Sequence, residues 1–453
     1  MDSPIYSKND RKEIFGWLTY DWANSVFSTT VLGVLIGDYI TTLAQKAVGE
    51  NGVVISIGGW DMVTAKSVIS YTIGLSVFLQ IFFLPLLGAI ADYTHLKKKL
   101  MMFFCFLGAF SCCLLFFIQG DLYLMGCLFV LISNLGFGAA LVFYNSFLPE
   151  ITTEDKRDRV SSWGFASGYL SGALVLIANL IFLKNAESFG VTLEMAVRIC
   201  LLASGIWWGG FSVITFILLR TRQPARSVPE GKHYIFAGLN ELRNTVKELF
   251  KLKHTLLFLL AYLLYNDGIQ TVITASSVFL SQELFVARGI ETDRTVLFIA
   301  FLIAQIVAFV GAIFFERLAR YTSTKTAILT SLVIWSGVVI YAYGFLSTVS
   351  QAYVMSGLIG FVLGGSQALS RSLFSQMIPA GREAAFFGFY EISERGTSWI
   401  GPIVFGIVAQ MTNSYRPAIL ALIVFFVAGS LILLFTNTRQ AILDAGNTPA
   451  ETT

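Results

Sequence analysis

Charge is what this chain has least of. Only 13% of its 453 residues are Asp, Glu, Lys or Arg, about half the share of a soluble globular protein. So few charges cannot cover a water-facing surface of this size, and 55% of the residues are hydrophobic. The solvent for most of the chain is lipid. A net charge of +3 without a long block of either sign excludes nucleic acid as a partner. The five cysteines (Cys105, Cys112, Cys113, Cys127 and Cys200) all lie inside apolar runs. With no CxxC pair and no nearby His they are small core- or lipid-facing residues, not disulfides or metal ligands. His95, His233 and His254 fall in or beside polar stretches, which excludes an intramembrane histidine relay. No Walker sequence, GxSxG or HExxH occurs, and neither a metal nor another cofactor is expected. A cleavable signal peptide is not expected either: the first apolar run follows "KNDRKE", is too long, and lacks a small-residue cleavage pattern.

What the chain does have is length in its apolar runs. Stretches of about 20 residues, enough to cross ~30 Å of hydrocarbon, recur twelve times. They lie near 17–44, 67–91, 100–119, 122–148, 161–183, 197–219, 255–284, 295–315, 326–347, 351–377, 385–411 and 417–436. Lipid-exposed backbone must satisfy itself within each segment, so each run predicts a helix. The expected fold is an all-α membrane protein of twelve transmembrane helices. With the N-terminus inside, 23 Lys and Arg fall on the cytoplasmic side and seven outside. That asymmetry predicts cytoplasmic N- and C-termini.

A polar stretch, Arg220 to Lys253, separates the first six runs from the last six. Within it Ile235, Leu239, Leu242, Val246, Leu249 and Phe250 recur at three- and four-residue steps among Lys and Arg. That pattern fits an amphipathic helix on the anionic cytoplasmic surface, or a solvated linker with some helix. The expected organisation is a six-helix bundle over 1–219, a linker over 220–254, a second bundle over 255–436 and a polar tail over 437–453. The halves resemble each other, as in repeat-built transporters. Helix 1 opens "YDWANS" and helix 7 contains "YNDGIQT"; "GAIADYTHLKKK" follows helix 2 and "GAIFFERLARYTSTK" helix 8. Helix 4 ends "YNSFLPE" and helix 10 ends "RSLFSQMIPAGRE".

Ionisable side chains in hydrocarbon are costly, and each is a functional candidate. Helices 3, 6, 9 and 12 carry none, which predicts that they face lipid while the others enclose a polar cavity. Asp267 and Arg395 fall near the midplane. Asp21, about 6 Å into its run, is either a pathway residue or an interfacial cap flanked by anchoring Trp17 and Trp22. Asp267 is either a coupling carboxylate or a buried acid bonded to a neighbouring helix. Glu391 and Arg395 stand four apart on one helix face, an arrangement that neutralises both. Carboxylates away from water favour their protonated form, which makes Asp267 and Glu394 the candidate proton carriers. Gly164, Gly168 and Gly172 in "GFASGYLSG" allow another helix close approach.

"GAIADYTHLKKK" resembles the signature loop of the major facilitator superfamily: Gly88, Asp92, Lys97 and Lys98 match it, while Tyr93 and His95 depart from it. "YDWANSVF", "YNSFLPE", "YNDGIQTV" and "GGSQALSRSLFSQMIPAGREAAFFGFY" are similar to the branch of fungal autophagy-related vacuolar amino-acid effluxers and their bacterial relatives. The likeness runs nearly end to end; in that branch's pattern a small residue stands where this chain has Glu394. It implies two pseudo-symmetric six-helix bundles, with helices 1, 4, 7 and 10 lining a central site. The substrate pathway it implies contains Asp21, Asn24, Ser25, Tyr144, Asn145, Asn266, Asp267, Gln270, Gln367, Arg371 and Arg395, with Asn24 and Ser25 deeper than Asp21. Asp92 with Arg157 and Arg159 would form a cytoplasmic latch, unless these are solvated loop charges. The expected function is secondary transport of a small polar solute by alternating access, with amino acids as substrate by resemblance and protons as a coupling partner. A monomer is expected, in a bacterial inner membrane rather than a vacuolar one. The alternatives are a non-transporting receptor or scaffold on this fold and a membrane-embedded lipid-modifying enzyme. The second would need a clustered His, Cys or paired-carboxylate site at the interface, and none is apparent.

Overall fold

The computed structural model describes residues 7–58, 60–92, 96–221, 234–396 and 400–449. The first helix, α1, runs Arg11–Val48. It starts earlier than hydropathy places it because Asp10 caps it, accepting the N–H groups of Lys12 at 2.8 Å and Glu13 at 3.2 Å. Those two N–H groups, Glu13's foremost, with Arg220 beside them, hold the Asp10 carboxyl below its usual range. Over Phe27–Leu35 the winding widens to a π-helix, a local departure common at functional sites. A small antiparallel hairpin follows, β1 (Val53–Ile57) and β2 (Trp60–Thr64). It adds strands to a fold expected to be all helical. Its β-branched run "VVISI" between glycines is too short to register against twenty-residue apolar runs, and Gly58 at φ +60° supplies the turn.

The remaining helices of the first half are α2 (Val68–Asp92), α3 (Lys97–Phe117), α4 (Tyr123–Ile151), α5 (Arg157–Lys184) and α6 (Leu193–Leu218). A linker helix, Tyr234–Lys251, leads into α7 (Lys253–Leu284), α8 (Arg294–Tyr321), α9 (Thr324–Phe345) and α10 (Val349–Gln376). Helix α11 comprises Glu383–Glu391, a π-wound turn Ile392–Gly396, and Ile400–Thr412. Then come α12 (Tyr415–Phe435) and a short C-terminal helix, Thr438–Asp444. Eleven of these are long and apolar enough to cross a membrane, and the two described parts of α11 make the twelfth.

The two halves meet along symmetry-related pairs, α2 on α11 and α5 on α8, with α10 reaching α4 and α5. Helices α3, α6, α9 and α12 pack mainly within their own halves, as their lack of charge predicts. The two ends of the described chain lie at one end of the bundle. There Asn9 donates to the Ile151 carbonyl at 2.7 Å, Arg220 pairs with Asp10, and Asn447 donates to the carbonyls of Gln376 and Ile378. This is the end that gathers most of the Lys and Arg, and it is called the basic end below.

The linker helix docks one side against the basic end and leaves most of its described apolar residues on another. Gly238 lies against Ile90 and Leu86 of α2. Glu241 and Glu248 both pair with Arg382, just ahead of α11. Leu249 is buried while Leu239 and Phe250 are exposed, so the expected apolar stripe is divided between two faces. The acidic residues decide this, because they find a buried cation on the bundle. Residues 222–233 of the linker lie outside the described set.

Candidate functional site

Arg371 of α10 is the hub of a polar cluster buried between the halves. Its guanidinium donates to Asp21 Oδ2 through both terminal nitrogens at 3.3 Å, to Ser161 Oγ and to the Ser161 carbonyl at 2.9 Å, and to Asn145 Oδ1 at 3.3 Å. Its carbon lies over the rings of Phe165 (4.2 Å) and Trp17 (4.8 Å), where cation–π attraction offsets part of its desolvation. Asp21 accepts a further bond from the Tyr144 hydroxyl at 2.7 Å. Tyr144 is held in turn by Trp17, which stacks on it at 4.4 Å and donates its indole N–H to the Tyr144 carbonyl.

The cluster continues upward through one amide. Asn145 uses its oxygen for Arg371 and its nitrogen for Glu391 Oε1 at 2.7 Å. Glu391 then takes Arg395 Nε on Oε2 at 3.2 Å. Arg395 lies 4.6 Å above the Phe137 ring and keeps 18% side-chain exposure, where Arg371 has 2%. The result is a continuous chain, Tyr144–Asp21–Arg371–Asn145–Glu391–Arg395, in which two acids alternate with two bases. It crosses α4, α1, α10 and α11. A second link between the halves, Tyr169 donating to Gln367 Oε1 at 2.6 Å, lies beside it.

Asp21 is therefore not an interfacial cap. It is buried in protein against Arg371 and Tyr144, and both tryptophans face protein: Trp22 packs on Trp207 and Phe211. Ser25 faces Gly168 of α5 and Asn24 is buried, with its amide nitrogen unpartnered among the described residues. Neither meets the charged chain, which runs instead through the shallower Asp21. The glycine run of α5 explains how α1 comes so close. A β-carbon on Gly164, Gly168 or Gly172 would meet Asp21 Oδ2 at 2.4 Å, Ser25 Oγ at 2.3 Å and Thr29 Oγ1 at 2.9 Å respectively. Ala at position 164 would gain roughly 1 kcal/mol of helix propensity but collide with a fixed ion pair, at a cost of about 1–3 kcal/mol. Gly164→Ala should thus lower the melting temperature, while Gly74→Ala, which has open space around it, should raise it. Thermal unfolding of the two variants in detergent checks this; a Gly164→Ala protein at least as stable as the parent would refute the close packing.

Asp267 sits within the second half and does not join the chain. Its Oδ2 accepts the Gly401 N–H at 2.8 Å, near the start of the later part of α11, and its Oδ1 has no partner among the described residues. The adjacent Asn266 donates to the Glu394 carbonyl at 2.8 Å, and Gln270 lies half-buried one turn on. Asn266 and Asp267 thus support both parts of α11, whose first part presents Glu391 and Arg395.

At the basic end Asp92 does not meet Arg157 or Arg159. Its oxygens accept the N–H groups of Ala384 at 3.0 Å and Ala385 at 2.8 Å, at the start of α11, and Lys97 lies 3.8 Å away. An anion on a helix N-terminus outcompetes more distant guanidiniums. Gly88 makes room, since its β-carbon would stand 2.1 Å from the Ala384 carbonyl oxygen. Lys97 also pairs with Glu150 at 2.6 Å, and Lys98 donates to the Leu219 carbonyl. Arg157 bridges to the other half through the Ser375 carbonyl at 3.2 Å, while Arg159 is exposed. Tyr93 and His95 lie outside the described residues.

Sequence reasoning underweighted Glu391, reading it only as Arg395's neutraliser; its reach to Asn145 on the opposite half carries no local signal. Ser161 and Tyr169 were missed as well, although Tyr169 follows Gly168 in the glycine run that faces α1.

A family model described as vacuole effluxer Atg22 like matches residues 9–446. An uncharacterized MFS-type transporter of Bacillus subtilis, YxiO, is 33% identical over 430 residues, covering 94% of this chain and 95% of that protein. Autophagy-related protein 22 of Coccidioides immitis is 26% identical over 533 residues, 94% of this chain and 86% of that one. Among solved structures, the E. coli fucose:proton symporter aligns with a TM-score of 0.68 at 11% identity, covering 94% of this chain and 98% of that one. A bacterial homologue of the iron transporter ferroportin aligns with a TM-score of 0.65 at 13% identity, over 94% and 99%. These relatives are transporters, not enzymes, and this multi-pass membrane protein belongs to the Atg22-like family of major facilitator transporters.

Proposed function

We propose that this transporter moves small amino acids across a bacterial inner membrane as a monomer, by alternating access coupled to protons, in the direction of efflux. The observation that carries the reading is the inequality of the two buried arginines. Arg371 is saturated by Asp21, Asn145 and Ser161, whereas Arg395 is bonded to Glu391, rests on the Phe137 ring, and stays partly accessible. A substrate carboxylate binds Arg395 in place of Glu391, and the displaced Glu391, with Glu394 one turn on, faces the substrate ammonium. A zwitterion fits that pair of charges; a simple sugar uses neither. Since the whole chain of charges lies inside one polypeptide, no second copy is needed.

Proton coupling is assigned to Glu394 and Asp267, with Glu391 as the acid that Arg395 releases. By the positive-inside rule the basic end faces the cytoplasm, which makes this the cytoplasm-closed state. Purified protein in liposomes, given a pool of labelled amino acids under counterflow conditions with and without a pH gradient, tests the reading. Loss of one charge-assisted contact at Arg395→Gln is expected to weaken half-saturation about tenfold. Asp267→Asn keeps an acceptor for the Gly401 N–H, so it should fold normally and lose only the response to the pH gradient. If no amino acid exchanges through folded protein, the substrate assignment fails. If exchange ignores the gradient in the parent, proton coupling fails.

A further inference from the structure

The linker helix has two faces, and the bundle accounts for one. Gly238, Glu241, Thr245, Leu249 and Leu252 turn inward, onto α2 and, through Glu241 and Glu248, onto Arg382. About a quarter-turn round from that face, Leu239 and Phe250 are 47% and 67% exposed, with Leu242 and Val246 half-buried between them. At about 100° per residue these four form one stripe. Arg243, Lys247 and Lys251 are exposed along its flank.

The depth of the helix decides what meets that stripe. Phe78, Phe82, Leu86 and Ile90 recur every four residues along one face of α2. The deeper two are 57% and 64% exposed, facing hydrocarbon, while Gly238 covers Leu86 and Ile90 near the end. The linker helix therefore continues the lipid-facing flank of α2 at headgroup level. Only Leu252 separates it from the start of α7 at Lys253, which fixes its other end at the same boundary. An apolar stripe edged by cations at that depth is complementary to an anionic lipid surface. Glu241 and Glu248 would be repelled by such a surface, but they are turned away from it onto Arg382.

We infer that the exposed face of the linker helix binds anionic phospholipid of the cytoplasmic leaflet, and that this binding holds the basic end closed. The inference rests on the orientation and the alternating-access reading given above. The helix spans the pair that must part for that end to open: it touches α2 at Ile90 and the start of α11 through Arg382. Opening pulls α11 from α2, so the helix has to leave one of them. Lipid that favours the docked helix at the membrane surface therefore favours the closed state. Each cation near an anionic surface is worth about fivefold, and the three together about a hundredfold.

The full chain, with its five cysteines replaced by alanine, is reconstituted in phosphatidylcholine alone or mixed with phosphatidylglycerol. An environment-sensitive dye on Leu239→Cys reports burial of the stripe. Spin labels on Lys99→Cys and Arg317→Cys, exposed at the basic end on opposite halves, report closure in a second sample. Phosphatidylglycerol should shift the dye emission to the blue and raise the share of the short spin–spin distance. The triple variant R243Q/K247Q/K251Q should lose both effects, and Arg382→Gln only the second. Emission that is identical in the two lipids overturns the inference. So does a blue shift that follows protein density and ignores phosphatidylglycerol, which would mark a second copy as the occupant. Neither readout needs a substrate, so failure here is distinguishable from failure of the transport assignment.

Discussion

Asp21→Ala is expected to destabilise the folded protein by about 3–5 kcal/mol, the range for removing one partner of a buried ion pair. Arg371 would remain between the two halves with only Ser161 and Asn145 to share its charge, at 2% exposure. The loss is readable by heating the protein with a thiol-reactive dye, since Cys105, Cys112, Cys127 and Cys200 are buried until the fold opens. The double variant Asp21→Asn with Arg371→Gln should recover much of the loss, because it leaves no uncompensated charge. A cost below about 1 kcal/mol for the single variant would put the pair in the class of solvated ion pairs, and the cluster would then be an open, water-filled site. The expected large cost gives the pair a definite place in the cycle. Asp21 and Arg371 belong to different halves and, in the function proposed above, form the floor of the site towards the basic end. Opening that end requires both to find water, so the pair weights the equilibrium towards the closed state.

Twelve spans, the division into halves and the lipid-facing third helices follow from charge depletion alone, because burying a charge in hydrocarbon is costly wherever it occurs along the chain. The candidate site was legible to the same extent. Asp21, Arg371 and Arg395 could be picked out as ionisable groups in apolar runs and Tyr144 and Asn145 through the resemblance, and the structure gathers them into one chain of bonds. Their pairing was not legible. Arg371 finds Asp21 across 350 residues, a partnership that depends on which helix faces which and on the glycine run that lets α1 settle against α5. The surroundings of Asp21 were not legible: hydropathy sees an acid near the end of an apolar run but not Tyr144 and Arg371, which enclose it. For Asp92 the sequence shows cations nearby but not the backbone of α11, since free N–H groups belong to no residue type. The linker helix shows the same limit. Its period was visible, but which side the bundle would take depended on Arg382, more than a hundred residues away.

Gly88→Ala is expected to shift the population towards the state open at the basic end by about fivefold to a hundredfold. The added carbon would lie 2.1 Å from the carbonyl oxygen of Ala384 and 2.6 Å from its carbonyl carbon. These are backbone atoms at the start of a helix and cannot swing aside, so the overpacking cost of about 1–3 kcal/mol falls on the closed state alone. The contact is reciprocal, because a β-carbon on Gly388 of α11 would meet the Pro85 Cα of α2 at 2.7 Å. Gly388→Ala should therefore show the same phenotype. Asp92→Asn removes a charge from the N-terminus of α11 but leaves an acceptor, and should shift the balance less, by about 0.3–1 kcal/mol. A cysteine at Ser375, buried between the halves beside the Arg157 contact, reads the outcome through its reaction with a membrane-impermeant maleimide. Faster labelling with Gly88→Ala and Gly388→Ala, a smaller rise with Asp92→Asn and none with Gly74→Ala would identify the α2–α11 crossing as the gate. Equal rates in all four would mean that the two helices separate elsewhere. What distinguishes this gate from the Asp21–Arg371 floor is its material. The floor holds by charge, and a matched neutral pair can replace it; the crossing holds by the absence of side chains, and no compensating substitution on the facing backbone can restore it.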